Sequence, residues 1–279
     1  MKHFLRTAWL LSRLQIRSLV LSRRMLFCLL LAFAPIVIAW IAGAMEHASE
    51  IVPFIGMFLV LQVVAPLISL TVGSSVVTEE LENRTITYVF TRPTNRAAFF
   101  VGRLMASTVV STILLSLSSL GVIWASTYTR EGAANLKRVG RRRGAQEMVE
   151  IVRDLPEGLA TGLIAAAAAA AIMYTLISAG LGVFFRRAMI LSLGYTFAIE
   201  GFLANIPGST QKLSVQFYLR SLLTAAPDKS GSILSDIPIL SELTLYTGPE
   251  ALARLAAAYL IFLLIAAVGI RRRQYMLTS

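Results

Sequence analysis

Three groups of residues in this chain have types and spacings that can do chemistry. The first is Glu200, the single carboxylate in the otherwise uncharged run from Ala188 to Gln211. A carboxylate there can carry a proton or an ion, line a polar route, or cap the helix turns that come after it. Left charged at the centre of a membrane helix it costs about 2.5–3.5 kcal/mol, so something must offset it. Thr196 lies one turn before it, and Gln62 is a second polar group in an apolar run. The next group is the segment from Thr78 to Arg96. Glu79, Glu80 and Glu82 open it, a β-branched and aromatic stretch comes next, and Arg92-Pro93-Thr94-Asn95 ends it. Pro93 breaks the pattern and Thr94 or Asn95 can cap a new helix, which predicts a short amphipathic helix, a turn and re-entry into the membrane. Such a hinge can transmit force from a cytoplasmic partner; it can also be a solvated loop whose charges keep it out of lipid. In the third group Thr108, Thr112, Ser116 and Ser119 recur at helical spacing. That hydroxyl stripe can line a polar passage, although Ser and Thr in membrane helices more often bond their own backbone or a neighbouring helix.

The elements that must position these groups can be read from composition. Of 279 residues, 56% are hydrophobic and 15% charged, with mean hydropathy +0.72. The charges cluster so as to leave apolar stretches of about 20 residues, the length that crosses a hydrocarbon core about 30 Å thick. None shows the alternation of a membrane barrel, so helices are the reading that satisfies the backbone. The expectation is an all-α integral membrane protein, one transmembrane domain over residues 1–279, with spans near 25–45, 54–77, 98–125, 158–184, 188–206 and 252–270. Residues 1–24 read as an N-terminal interfacial elbow helix: Arg6, Arg13, Arg17 and Arg24 share a face, while Phe4, Trp9, Leu10 and Leu14 cover much of the rest. The same pattern also fits a generic basic anchor. Residues 78–96 form a cytoplasmic loop, and 126–157 and 207–250 are external segments carrying short helices. Met148, Val152 and Leu155 suggest a helix in the first; Leu213, Phe217 and Leu223 suggest an interfacial helix in the second. Pro66 predicts a kink in the second span. Gly158 and Gly162, succeeded by Ala165 to Ala171, predict close helix approach in the fourth.

Six spans place both termini on one side. Basic residues on that side outnumber those on the other by fourteen to ten, which makes it cytoplasmic. The cluster Arg138 to Arg143 argues the other way, but acids in its loop dilute it and the first span dominates orientation. The net charge of +11 then marks membrane lipid as the partner, not nucleic acid. Met25 to Gly43 is too long for a signal-peptide core and stays as a mature span. Cys28 is alone, so no intrachain disulfide forms.

The order of these features resembles the permease subunits of type-2 ATP-binding-cassette transporters. In that family the loop between the second and third spans runs loosely as paired acids, a threonine, an apolar stretch, then a proline, a polar residue and an arginine. Glu79, Glu80, Thr85, Tyr88, Val89, Phe90, Pro93 and Arg96 match it, with Arg84 where many members carry glycine. Glu200 to Gly208, Tyr218 to Leu222 and Arg271 to Tyr275 look like other members too, so the resemblance covers nearly the whole chain. It implies an exporter of the bacterial inner (cytoplasmic) membrane. The permease would form the translocation route as a pair, in all expectation a homodimer, and would bind two copies of a cytoplasmic ATPase. Glu79, Glu80, Glu82, Arg84, Thr85, Pro93 and Arg96 would form the ATPase-coupling loop. ATP and Mg would be held by the partner ATPase, and this chain would bind no cofactor.

The chain has no G-x-x-x-x-G-K-[ST] to cradle phosphates, so it is not expected to be the ATPase, nor an enzyme of any other kind. No H-E-x-x-H occurs and no catalytic residue is assigned. Glu46, His47 and Glu50 read as a solvated loop, not a metal site. Two rival functions stay open: a secondary transporter or channel in which Glu200 carries a proton or ion, and a membrane scaffold that transports nothing. The possible route-lining or structural polar residues are Glu200, Thr196, Gln62, Thr108, Thr112 and Ser116.

Overall fold

The computed structural model describes residues 2–43, 55–82, 96–142, 159–185, 187–203, 209–224 and 246–272. Every regular element among them is helical. Five helices are long and apolar enough to cross a membrane: Arg23–Ala42, Phe58–Val77, Ala97–Tyr128, Ala160–Phe184 and Gly248–Ile270. Of the expected span at 188–206, residues 188–203 are described. Helix α6 (Ala188–Gly194) runs into a π-helical segment, Tyr195–Glu200, and one further turn, Gly201–Leu203. At about 1.5 Å per residue this stretch is shorter than the hydrocarbon core.

The hub is α5 (Leu159–Phe184), which packs against α3 (Ala65–Glu82), α4 (Arg96–Arg142), α7 (Val215–Thr224) and α8 (Gly248–Arg272). Small side chains let it do so. Its Ala166, Ala167, Ala170, Ala171, Ser178 and Ala179 are buried. A Cβ built on Gly73 of α3 would stand 2.7 Å from the Thr175 carbonyl oxygen, so the two backbones touch. Gly162 meets α7 the same way, with the Leu223 carbonyl oxygen 3.0 Å from where a Cβ would be. In a bilayer, where lipid tails compete for apolar contact, such close approach is what holds helices together. Hydroxyls add cross-ties: Ser178 Oγ donates to the Leu70 carbonyl at 3.1 Å, and Thr175 Oγ1 to Ser111 Oγ at 3.2 Å.

The hydroxyl stripe divides by direction. Thr108 and Ser119 donate to the carbonyls of Leu104 and Leu115 on their own helix. Thr112 and Ser116 are half-buried. The helix-to-helix bonds come instead from Ser111 and Ser118, the latter donating at 2.8 Å to the Ala32 carbonyl of α2 (Arg23–Gly43), one turn before Pro35.

Helix α1 (Lys2–Val20) presents three faces. Ala8, Ser12, Gln15 and Leu19 are buried, against α4 above all. Arg6, Arg13 and Arg17 are exposed on the opposite side, with Trp9, Leu10 and Leu14 exposed along the flanks. The closest approach is at Gly102 of α4, where a Cβ would lie 2.5 Å from the Ala8 carbonyl oxygen. Beside it Arg103 donates from Nε to Gln15 Oε1 at 2.5 Å and covers the Phe99 ring at 5.2 Å. Gln15 Nε2 in turn donates to Ser75 Oγ of α3 at 3.3 Å.

Helix α4 continues as one helix to Arg142, and its apolar, membrane-crossing part ends at Tyr128, close to the expected 125. One expectation for the external segments changes. Helix α7 is not an interfacial helix with one wet face. Val215, Phe217, Leu219 and Leu222 are buried, and so are Gln216, Arg220 and Ser221, because the helix is tucked between α5, α8 and the π-helical segment Ile55–Val64. Arg220, expected among the external charges, is 2% exposed.

Candidate functional site: a buried carboxylate beside a cavity

Ile55–Val64 winds as a π-helix and passes into α3 at Ala65, with Pro66 at the second position. In π register the carbonyl of residue i bonds the N–H of residue i+5. The partner of the Leu61 carbonyl would therefore be Pro66, which has no N–H. Gln216 of α7 supplies the missing donor, its Nε2 standing 2.9 Å from that oxygen. The kink expected at Pro66 thus takes the form of a register change with a side chain bonded into it.

Gln216 also faces Glu200. The first N–H groups of a helix have no partner within it, and the helix dipole favours negative charge there. Glu200 Oε1 accepts from the Val215 N–H at 3.1 Å and Oε2 from the Gln216 N–H at 3.0 Å. Three hydroxyls complete the shell: Ser214 Oγ to Oε2 at 2.8 Å, Tyr195 to Oε1 at 3.0 Å, and Tyr174 to Oε2 at 3.4 Å. Five donors on two oxygens use about all the lone-pair sites a carboxylate has. Glu200 is 1% exposed. Of the roles open to this residue, the geometry is that of a group capping α7 across the fold.

Next to this knot is a cavity of about 400 Å³. Phe58, Leu59, Val63 and Phe197 give it apolar walls, while Gln62, Thr196, Glu200 and Gln216 border it on the polar side. Two of the polar atoms, Gln62 Oε1 and Thr196 Oγ1, are buried without a hydrogen-bond partner among the described residues. The two π-helical segments face each other here, and π turns recur where a helix serves a site.

The predicted polar residues therefore divide. Glu200, Thr196 and Gln62 meet at one place, brought from the second apolar run and the fifth. Thr108, Thr112 and Ser116 line α4 and do not border the cavity. Glu79, Glu80 and Glu82 end α3, and Arg96 begins α4. Arg84, Thr85 and Pro93 lie outside the described residues, as do Glu46, His47 and Glu50. Sequence reasoning passed over Tyr174, Tyr195, Ser214 and Gln216. Only Ser214, a helix-capping residue type directly before an apolar-periodic stretch, carried a local signal for its place. Among the described residues no group of three or more His, Cys, Asp or Glu could hold a metal. The sequence matches no family model and no curated protein, so a functional reading rests on residues and geometry alone.

Proposed function

We propose that this chain is the membrane-spanning permease subunit of an ATP-driven exporter, coupled to a separate ATPase and paired with a second permease chain. The observation that carries the reading is the cross-tie of Gln15 to both Arg103 and Ser75. It binds α1 to the end of α3 and the start of α4, the two helices from which residues 83–95 are strung. A push on that loop would reach three helices as one body. The sequence resemblance supports an ATPase contact on the same loop. Glu200 weighs against a carrier role, since a carboxylate capped by five donors gives up much bonding whenever it takes a proton.

In this reading 188–203 forms the sixth crossing together with the chain beyond it, both termini are cytoplasmic and the membrane is a bacterial inner membrane. A cysteine introduced at Ser49 or Ser232 then reacts with an impermeant thiol reagent outside intact cells, and one at Ser279 does not. Affinity purification of the chain in mild detergent tests the function. The expected result is an ATP-hydrolysing subunit in equal amount, lost when Glu79 and Glu80 are both replaced by lysine while the permease stays in the membrane. A chain that purifies alone, or retains its ATPase in that variant, contradicts the reading.

A further inference from the structure

The cavity between the two π-helical segments has a composition that selects its occupant. Its volume of about 400 Å³ is within the roughly 300–1,000 Å³ of small-molecule sites. Thr196 is 4% exposed, lines the cavity, and its hydroxyl has no partner among the described residues; neither has Gln62 Oε1. A buried polar group left unmade in an apolar site is unfavourable, so these two atoms mark where a ligand's polar end would bond. Ile38 and Phe197, 44% and 49% exposed, also border the space, so its approach is apolar. In a bilayer that approach is through lipid.

The partners also fix the chemistry of the polar end. Gln62 Oε1 can only accept, and the Thr196 hydroxyl can donate or accept. An alcohol oxygen has both functions, a proton for Gln62 and a lone pair for Thr196. Glu200 disfavours an anion here, and its five donors leave it no free lone pair to bond an ammonium directly. We propose that this cavity is a binding site for an uncharged, lipid-soluble alcohol with an apolar body, bonded by Gln62 and Thr196. The proposal rests on the bundle lying in a bilayer and does not require the ATP-driven reading.

The test uses the purified full chain alone, in vesicles of phosphatidylethanolamine and phosphatidylglycerol, so the presence of an ATPase does not bear on it. Three photolabels with the same diazirine-bearing alkyl chain are compared: the primary alcohol, its methyl ether and its primary amine. The alcohol is expected to label peptides containing Phe58, Leu59 or Phe197, competed by unlabelled alcohol, with the ether and amine weaker by roughly tenfold. Q62L combined with T196V should bring alcohol labelling down to the ether's level and leave ether labelling unchanged, which also reports that the cavity is still folded. T196V alone, which keeps the side-chain shape, should lower alcohol labelling severalfold if the double variant does not fold. Equal labelling by alcohol and ether, labelling strongest with the amine, alcohol labelling indifferent to T196V, or labelling away from these peptides would each overturn the assignment.

Discussion

Glu200 and Arg103 are both buried charges, 1% and 7% exposed, but the bundle holds them by different means. Glu200 is bonded by two backbone N–H groups at the start of α7 and by three hydroxyls, from Ser214, Tyr195 and Tyr174. Backbone donors at a helix end move only if the helix moves, so this site is a fixed point. Arg103 is bonded by the side chain of Gln15 on α1 and lies over the Phe99 ring. The same glutamine also bonds Ser75 of α3, so it ties α1 to both helices. The contrast is between a charge capped by backbone at a helix end and a charge held by a side-chain tie between helices.

The comparison breaks first at Glu200. Glu200→Leu leaves five donors without their acceptor, and each unsatisfied buried group costs about 1–3 kcal/mol. Near-complete loss of folded protein is expected, seen as loss of the monodisperse peak in detergent. Glu200→Gln puts an amide NH₂ against donors, and its thermal midpoint should fall between wild type and the leucine variant. A wild-type midpoint for Glu200→Leu would mean the knot is not structural.

Next in size is the α1 contact. Gly102→Val drives a side chain into the Ala8 backbone, and overpacking of this kind costs about 1–3 kcal/mol. Helix α1 should lift from α4, with faster trypsin cleavage at Arg13 and Arg17 than in wild type. Gln15→Leu removes one acceptor of Arg103, worth about 1 kcal/mol net, and should loosen coupling more than stability. On the proposed reading, ATP hydrolysis by the complex continues with less transport, at an unchanged amount of this chain in the membrane. The smallest effect is expected of Ser118→Ala, which loses one bond to the Ala32 carbonyl: about 0.6 kcal/mol, as for other hydrogen bonds between membrane helices.

What could be read from the sequence was governed by charge. Gaps between charged residues located Arg23–Ala42, Phe58–Val77, Ala97–Tyr128, Ala160–Phe184 and Gly248–Ile270 within a few residues, because a bilayer punishes charge residue by residue. The run at 188–206 read as a sixth such span, yet there the helix winds in π register up to Glu200 and is described only to Leu203. A hydropathy pattern has no means of showing that a carboxylate will find N–H groups fifteen residues later. The same limit hid Gln216, whose bond to Leu61 spans more than half the chain and depends on a proline failing to donate. Arg220 misled for another reason. In sequence it stands among external residues, and only the packing of α7 against α5 and α8 reveals it as buried.

On the proposed ATP-driven reading, ATP and not a proton gradient moves α1. The most direct measurement places a spin label at Leu10, which is 53% exposed on α1, in a chain whose buried Cys28 is replaced by serine. The distance between the labels of the two permease chains is then read in vesicles containing the ATPase complex. The account predicts a shifted distance distribution when ATP is trapped and none when a proton gradient alone is imposed. A distribution that ignores ATP and responds to the gradient would contradict it.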